Sequence, residues 1–224
     1  MLKIQWPHIE SEHEAAALEV WDGDGAVRLL AHDPSRHALL LERCRPGTYL
    51  YKGAPEEALQ VIAGLLPRLW KPAGLPFRSL AEETRRWTIR EEWNELGRPF
   101  EERLVRAAEA ALEDLVPSQG EQVLLHQDLH AGNVLAAERE PWLVIDPKPL
   151  VGEREFGLAP IIRSFELGHS RQEVLRRLDF LSGGLGLDRE RARGWAIAQT
   201  IAWSFDSVYR EHAETARWLL EAAP

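Results

Sequence analysis

The 224 residues include a single cysteine, Cys44. One thiol excludes an internal disulfide scaffold, so a reducing cytoplasm is the expected compartment. Long hydrophobic runs are missing too. No stretch approaches the roughly 18 consecutive apolar residues that cross a bilayer, so no membrane partner is expected. The opening, Met1-Leu2-Lys3-Ile4, lacks a signal-peptide pattern. Excess positive charge is absent. With 27 Lys and Arg against 36 Asp and Glu, the formal net charge is -9, which argues against non-specific nucleic-acid binding and suits a cationic partner. There is no internal repeat and no low-complexity segment. What remains is an ordinary globular composition, 45% hydrophobic and 28% charged, sufficient for one large domain or two small lobes.

Periodicity divides the chain into a small strand-rich head and a larger helical body, an α+β arrangement. Residues 1–4 read as a strand stopped before Pro7, and residues 11–20 as a helix opened by Ser11. Ser11 and Glu14 have capping-box spacing, which would turn Glu14 back onto the helix end. Residues 27–31 and 37–41 read as strands around the turn formers Asp33, Pro34 and Ser35. A linker over 42–47 ends in Pro46-Gly47. Helices are expected at 55–69, 80–95, 101–115, 171–181, 189–210 and 211–222. Ser170 with Glu173 is a second capping box, and Gly183-Gly184 is the expected stop of that helix. The nine tryptophans fall mostly on apolar helix faces and read as packing.

The densest chemistry lies between the predicted helices at 101–115 and 171–181. Residues 124–135 read LLHQDLHAGNVL, and residues 142–146 read WLVID. An apolar run breaks into a polar loop carrying His126, Asp128 and His130. The chain turns apolar again at Val134, and the polar segment 138–141 precedes a second apolar run, which is the pattern of a β-hairpin. A turn centred between Arg139 and Glu140 would place Asn133 opposite Asp146, with Cβ atoms roughly 5 Å apart. An amide oxygen beside a carboxylate suits a hard cation such as Mg²⁺, which shares its ligands with substrate phosphates. A rival reading makes His126, Asp128 and His130 the ligands of Zn²⁺ in a hydrolase, but it leaves Asn133 and Asp146 without a role.

The spacing His126-x-Asp128-Leu129-x-x-x-Asn133 followed by a strand-end Asp matches the catalytic loop and metal-binding Asp of protein-kinase-like enzymes. The wording HQDLHAGNVL, then VIDPKPLVGE, resembles the aminoglycoside phosphotransferase family, within it the streptomycin 6-kinase and hydroxyurea phosphotransferase branch. The resemblance runs from Leu2 to about Trp203. It implies a two-lobe kinase-like fold, with residues 1–47 as a nucleotide-side lobe with hinge and residues 48–224 as a helical lobe carrying the catalytic loop. It also implies ATP and Mg²⁺ as cofactors. Asp128 would receive or orient the acceptor hydroxyl, His126 would brace the loop, and Asn133 and Asp146 would hold the metal. Lys3 would grip the α- and β-phosphates, oriented by Glu14, with Glu12 as a second candidate. Linker residues Glu42, Arg43 and Arg45 would hold the adenine through their backbone. Lys148 would approach phosphate or pair with Glu153 or Glu155.

The acceptor site is less defined. A polycationic acceptor asks for carboxylates, and Glu153, Glu155, Glu166 and Asp206 are the candidates, Asp206 lying among Trp203, Phe205 and Tyr209. Two departures from the family pattern are visible. Only Met1 and Leu2 precede Lys3, so the Gly-rich loop and its two strands have no counterpart here: either the true start lies upstream or the lobe is shortened. The bare sheet edge this leaves makes either a compensating contact, such as a homodimer through that lobe, or weak ATP binding the expectation. Pro147-Lys148 replaces the Phe-Gly of protein kinases. Two other functions stay open: a binding module without turnover, and a metabolic kinase of a sugar or amino alcohol.

Overall fold

Strand β3 (Ala38–Leu41) alternates, with Leu39 and Leu41 buried and Leu40 exposed, and everything in the head is arranged about it. The computed structural model describes residues 1–205 and 209–222. β1 (Leu2–Ile4) and β2 (Leu29–Asp33) flank β3 in an antiparallel sheet of order β1-β3-β2. Lys3 pairs with Leu39, so the pleat turns Lys3 to the buried face while Leu2 and Ile4 stay exposed.

Helix α1 (Glu14–Trp21) buries Glu14, Ala17, Leu18 and Trp21, the i, i+3, i+4, i+7 stripe of one helix face. Its start differs from the sequence expectation. His13 is the N-cap residue, with no side-chain cap, and the Ser11 hydroxyl donates instead to the Trp6 and His8 carbonyls. Glu14 is therefore not turned back onto a cap. Asp22 at φ 44° ends the helix in the left-handed region, and Gly23 at φ 79° continues the turn. The Trp21 indole donates to the Leu69 carbonyl at 2.8 Å, fastening α1 to α2 (Pro55–Leu69). α2 opens on proline, where the missing N–H costs nothing. It buries Leu59, Ile62, Leu65, Leu66 and Leu69.

The chain forms two compact units, one of Met1–Arg78 with Gln122–Val151, the other of Ser79–Glu121 with Gly152–Pro224. The first holds the head sheet, α1, α2, β4 (Gln122–Leu125) and the hairpin of β5 (Val134–Ala136) and β6 (Trp142–Val144). β4 is hydrogen-bonded to β7 (Leu150–Glu153). β6 docks on the turn after α1, because the Val144 N–H donates to the Gly25 carbonyl and Val144 accepts from the Val27 N–H.

The second unit holds α3 (Leu80–Thr84), α4 (Ile89–Glu95), α5 (Glu102–Leu115), α6 (Ala159–Ile162), α7 (Arg171–Leu185), α8 (Arg189–Ala202) and α9 (Tyr209–Leu220). α8 is buried almost all round from Trp195 to Ile201 and forms the centre against which α5, α6, α7 and α9 pack. Gly194 permits this, since a Cβ there would stand 2.8 Å from the Leu115 methyl of α5. The expected helix over 80–95 is broken into α3 and α4, and Trp87 in the gap stacks on Phe156. α7 runs through Gly183 and Gly184 and stops at Gly186, whose φ of 65° needs no Cβ penalty. No described helix is long and apolar enough to cross a membrane.

Arg177 of α7 is fully buried, and its guanidinium donates to the Ile162, Leu167 and Gly168 carbonyls at 2.8–3.0 Å. Arg177→Met orphans those carbonyls and is expected to cost about 3 kcal/mol. In urea the midpoint of unfolding should fall with little change of slope.

Candidate active site

Beyond β4 the chain enters the loop over 126–130, and buried His126 governs its shape. Its Nε2 donates to the Ile145 carbonyl at 2.8 Å, and its Nδ1 accepts the Asp128 N–H at 3.3 Å. Its ring stacks on Trp21 with centroids 6.3 Å apart. Burial pushes its pKa down to about 4, so the ring is neutral at pH 7. With both nitrogens committed to backbone, His126 cannot ligate Zn²⁺ as the rival reading requires. His130 is likewise engaged, its Nδ1 accepting the Gly132 N–H at 3.1 Å ahead of the 3₁₀ turn Ala131–Asn133. Among the described residues no group of three or more His, Cys, Asp or Glu is arranged to hold a metal ion.

The hairpin register is shifted by one residue from the expected one. Val134 pairs with Val144, Leu135 with Leu143 and Ala136 with Trp142. Asn133 is therefore level with Ile145, whose N–H donates to its carbonyl at 2.9 Å, and not with Asp146. The cause is Arg139, which sits at the tip of the turn. Its guanidinium makes two bonds of 2.9 Å to the Glu42 carboxylate and donates to the Gly23 and Ala26 carbonyls. Asp146 lies just past the last rung at φ 56°. It nonetheless lines the same cleft as Asn133.

That cleft, of about 290 Å³, is bounded by Lys3, Glu10, Glu14, Asp128, Asn133, Asp146 and Lys148, with Trp6, His8 and His130 also on its wall. All of these residues belong to the first unit. The Asn133 amide nitrogen donates to the Asp128 carbonyl at 2.8 Å, which leaves its Oδ1 as the end able to meet a cation. Lys3 bonds both oxygens of the buried Glu14 carboxylate at 2.7 and 2.8 Å and also contacts Asp146. Glu12, the other candidate, is exposed. Burial pulls the Lys3 ammonium down, but Glu14 and then Asp146 outweigh it and raise the net value. Burial raises the Glu14 carboxyl, with Lys3 pulling against it. Lys148 approaches Asp128 Oδ2 at 3.2 Å and Glu10 Oε2 at 3.3 Å, neither of them a partner expected from sequence.

A second cleft, of about 470 Å³, is lined by Val27, Leu41, Leu135 and Ile145 with linker residues Glu42, Arg43, Cys44 and Gly47. Consecutive residues line the two clefts, Ile145 this one and Asp146 the other. The Glu42 carboxylate is taken up by Arg139 and the Arg28 N–H, and its own N–H donates to the Arg28 carbonyl at 2.9 Å. Arg45, in the same linker, is exposed. A larger hollow of about 840 Å³ on the outer face of α7, lined only by residues of that helix, gathers no comparable set of groups.

The acceptor-side carboxylates are distributed differently from the sequence expectation. Glu153 is buried, and its carboxylate accepts from Arg191 at 2.8 Å, from the Gly120 N–H at 3.0 Å and from the Trp195 indole. It serves the interior of the helical unit and does not face open solvent. Glu155 is half-buried and accepts from the Asp188 N–H at 3.4 Å. Glu166 lies in the 3₁₀ turn Phe165–Leu167. Asp206 lies outside the described residues.

A small antiparallel sheet, a catalytic-type loop and a helical unit define the protein-kinase-like class. Among solved structures the chain is similar to the choline kinase LicA from Streptococcus pneumoniae, with TM-score 0.68, 16% identity, 99% of this chain and 85% of that one. That kinase was also solved in complex with AMP, with TM-score 0.65. Within the class, the chain belongs to the aminoglycoside/hydroxyurea antibiotic resistance kinase family, whose sequence profile matches residues 1–207. It is 45% identical over 210 residues to a hydroxyurea phosphotransferase of Kitasatospora aureofaciens, covering 89% of this chain and 59% of that protein. A streptomycin 6-kinase of Streptomyces griseus is 41% identical over 89% of this chain and 68% of its own length. The chain thus spans well under the full length of both relatives.

Two outcomes test this site's construction. Lys3→Met leaves the buried Glu14 carboxylate without its ammonium and is expected to cost about 3 kcal/mol. Adding Glu14→Gln should restore much of the loss in thermal melts, and equal melting temperatures for the single and double variants would refute the pairing. His126 and the buried His212 of α9 are both held down to about 4 against an ordinary 6.5. Between those values the unfolded chain binds more protons than the folded one, so stability falls as pH falls through that window. Melting temperature should be flat above pH 7 and decline from 6.5 to 4, with a shallower decline in His212→Phe.

Proposed function

We propose that this chain carries the donor-side machinery of an ATP-dependent small-molecule kinase acting on a hydroxyl of an aminoglycoside-type, streptomycin-like acceptor. The observation that supports this best is the pair of clefts lined by the consecutive residues Ile145 and Asp146, one apolar and edged by a linker, the other lined with cations, carboxylates and an amide oxygen. Base and ribose belong in the first and phosphates in the second. The residues present fit Mg²⁺, because that ion is usually held by one or two protein oxygens and the nucleotide's phosphates, not by an all-protein cage. Asp146 and Asn133 would hold it, and when bound it neutralises charge on the phosphate oxygens. Lys3, kept protonated by Glu14, would move from Asp146 to the α- and β-phosphates.

In the transfer step Asp128 receives the proton of the acceptor hydroxyl while that oxygen attacks the γ-phosphorus in line. The bond from phosphorus to the β-bridging oxygen breaks, and its electron pair leaves on ADP. Catalysis here is positioning and electrostatics, since phosphoryl transfer asks for little covalent work by the protein. His126 contributes by locking the loop as a neutral ring. The boundary near residue 47 between nucleotide-side lobe and helical lobe belongs to the same reading, as does a cytoplasmic setting. Acidic composition suits a cationic acceptor, and Glu155 and Asp206 remain its candidate contacts, whereas Glu153 serves the fold. A homodimer through the head is supported by the exposed Leu2, Ile4, Leu30 and Leu40 of the sheet.

Mg-ATP titration calorimetry tests the donor side, and silence at millimolar nucleotide would favour a binding module of another kind. Asp128→Ala should abolish phosphoryl transfer to streptomycin in a coupled ADP-release assay while leaving Mg-ATP affinity nearly unchanged. Retained turnover would remove Asp128 from the role given to it.

A further inference from the structure

The phosphate-side cleft holds two lysines, and they face different carboxylates. Lys3 stands between Glu14 and Asp146, on the metal side. Lys148 stands between Asp128 and Glu10, on the side of the proposed base. Its backbone is unusually constrained for a loop residue. Pro147 and Pro149 flank it, each with φ fixed by its ring. Its own N–H donates to the His126 carbonyl at 3.0 Å, and His126 in turn donates to Ile145. The Cα of Lys148 is thus tied to the loop that carries Asp128, while its flexible stem remains one-third exposed and can swing.

Charge makes the arrangement informative. Lys3, Lys148, Glu10, Glu14, Asp128 and Asp146 sum to two net negative charges at neutral pH, in a cleft that has to receive phosphates. Lys3 answers the α- and β-phosphates. The transferred group develops its charge further along the line, next to Asp128, where Lys148 lies within ion-pair distance of that carboxylate.

We propose that Lys148 is a catalytic residue of the transfer step, leaving Glu10 to bond an equatorial oxygen of the γ-phosphoryl group in flight while it stays beside Asp128. Glu10 is its resting partner and keeps the ammonium at the cleft when no nucleotide is bound. Lys148 stays protonated throughout. The proton lost by the acceptor goes to Asp128, so the ammonium supplies charge and not a proton. This rests on the kinase reading above and adds to it a defined role for Lys148 in the transfer step.

The test separates the two. Mg-ADP binding is measured by calorimetry with and without aluminium fluoride, which mimics the phosphoryl group in transit. Wild-type chain should bind the fluoride complex at least about 100-fold more tightly than Mg-ADP alone. Lys148→Met should abolish most of that gain and lower kcat about 100-fold, with Mg-ADP affinity nearly unchanged. Lys148→Arg should recover part of both. A Lys148→Met chain that keeps the fluoride gain overturns the inference, as does one that loses Mg-ADP and fluoride-complex affinity by the same factor. If Lys148→Met fails to fold, Lys148→Met/Glu10→Gln removes the uncompensated carboxylate and is read in the same way. Failure of wild-type chain to bind Mg-ADP at all sinks the kinase reading and this inference together. Loss of transfer in Asp128→Ala with full transfer in Lys148→Met sinks this inference alone.

Discussion

The backbone of one residue, Ile145, holds the candidate site together. Its N–H donates to the Asn133 carbonyl and its carbonyl accepts from His126 Nε2. Asn133, the loop bearing Asp128, and Asp146 are therefore referred to a single peptide. The tie needs a neutral imidazole with its proton on Nε2, and burial against Trp21 supplies that state. A protonated ring at this position would lose its acceptor nitrogen and release the Asp128 N–H. The geometry of the base thus depends on the burial of His126, to which Trp21 of α1 contributes.

Much of this arrangement was legible in the sequence, for identifiable reasons. α2 could be read at both ends, because Pro55 marks its start and a regular apolar stripe runs to Leu69. The hairpin strands were legible because two short apolar runs flank polar residues. Asp128, Asn133 and Asp146 were legible as a spaced set. The register was not, because it depends on which residue occupies the turn's tip. That choice is made by Glu42, 97 positions away from Arg139 in the chain. Similarly, the capping-box spacing of Ser11 and Glu14 is a local signal that a distant ammonium overrides. Lys3 offers Glu14 a stronger partner than a helix N–H, and burial makes that partner necessary.

Residues recruited from afar leave the weakest trace. Glu10 carries no motif, and nothing in residues 6–12 marks it as facing Lys148. Lys148 could be singled out by its place after Asp146, but its sequence neighbours suggested Glu153 or Glu155 as partners. Both belong to the other unit's chemistry, Glu153 being consumed by Arg191 and Trp195. Proximity along the chain is a poor guide once a strand separates two residues. β7 leads into the other unit, to which Glu153 belongs, while the His126 carbonyl holds Lys148 at the loop.

Arg139 shows the same principle at the far end of the hairpin. In sequence it is a charge in a polar turn, the usual signature of a solvated loop. In the fold it bonds the linker's Glu42, the glycine turn after α1 and the Ala26 carbonyl, so β5 and β6 are anchored at both ends. Gly23 is close enough that a Cβ would fall 2.8 Å from Arg28 and 3.3 Å from Arg139. A bidentate guanidinium–carboxylate pair has a defined geometry that a lysine would not reproduce. The linker edging the apolar cleft and the hairpin that forms its opposite wall, through Leu135 and Ile145, are thereby held by one rigid fork. Glu42 lines that cleft, and its bond to Arg139 ties the linker to the hairpin.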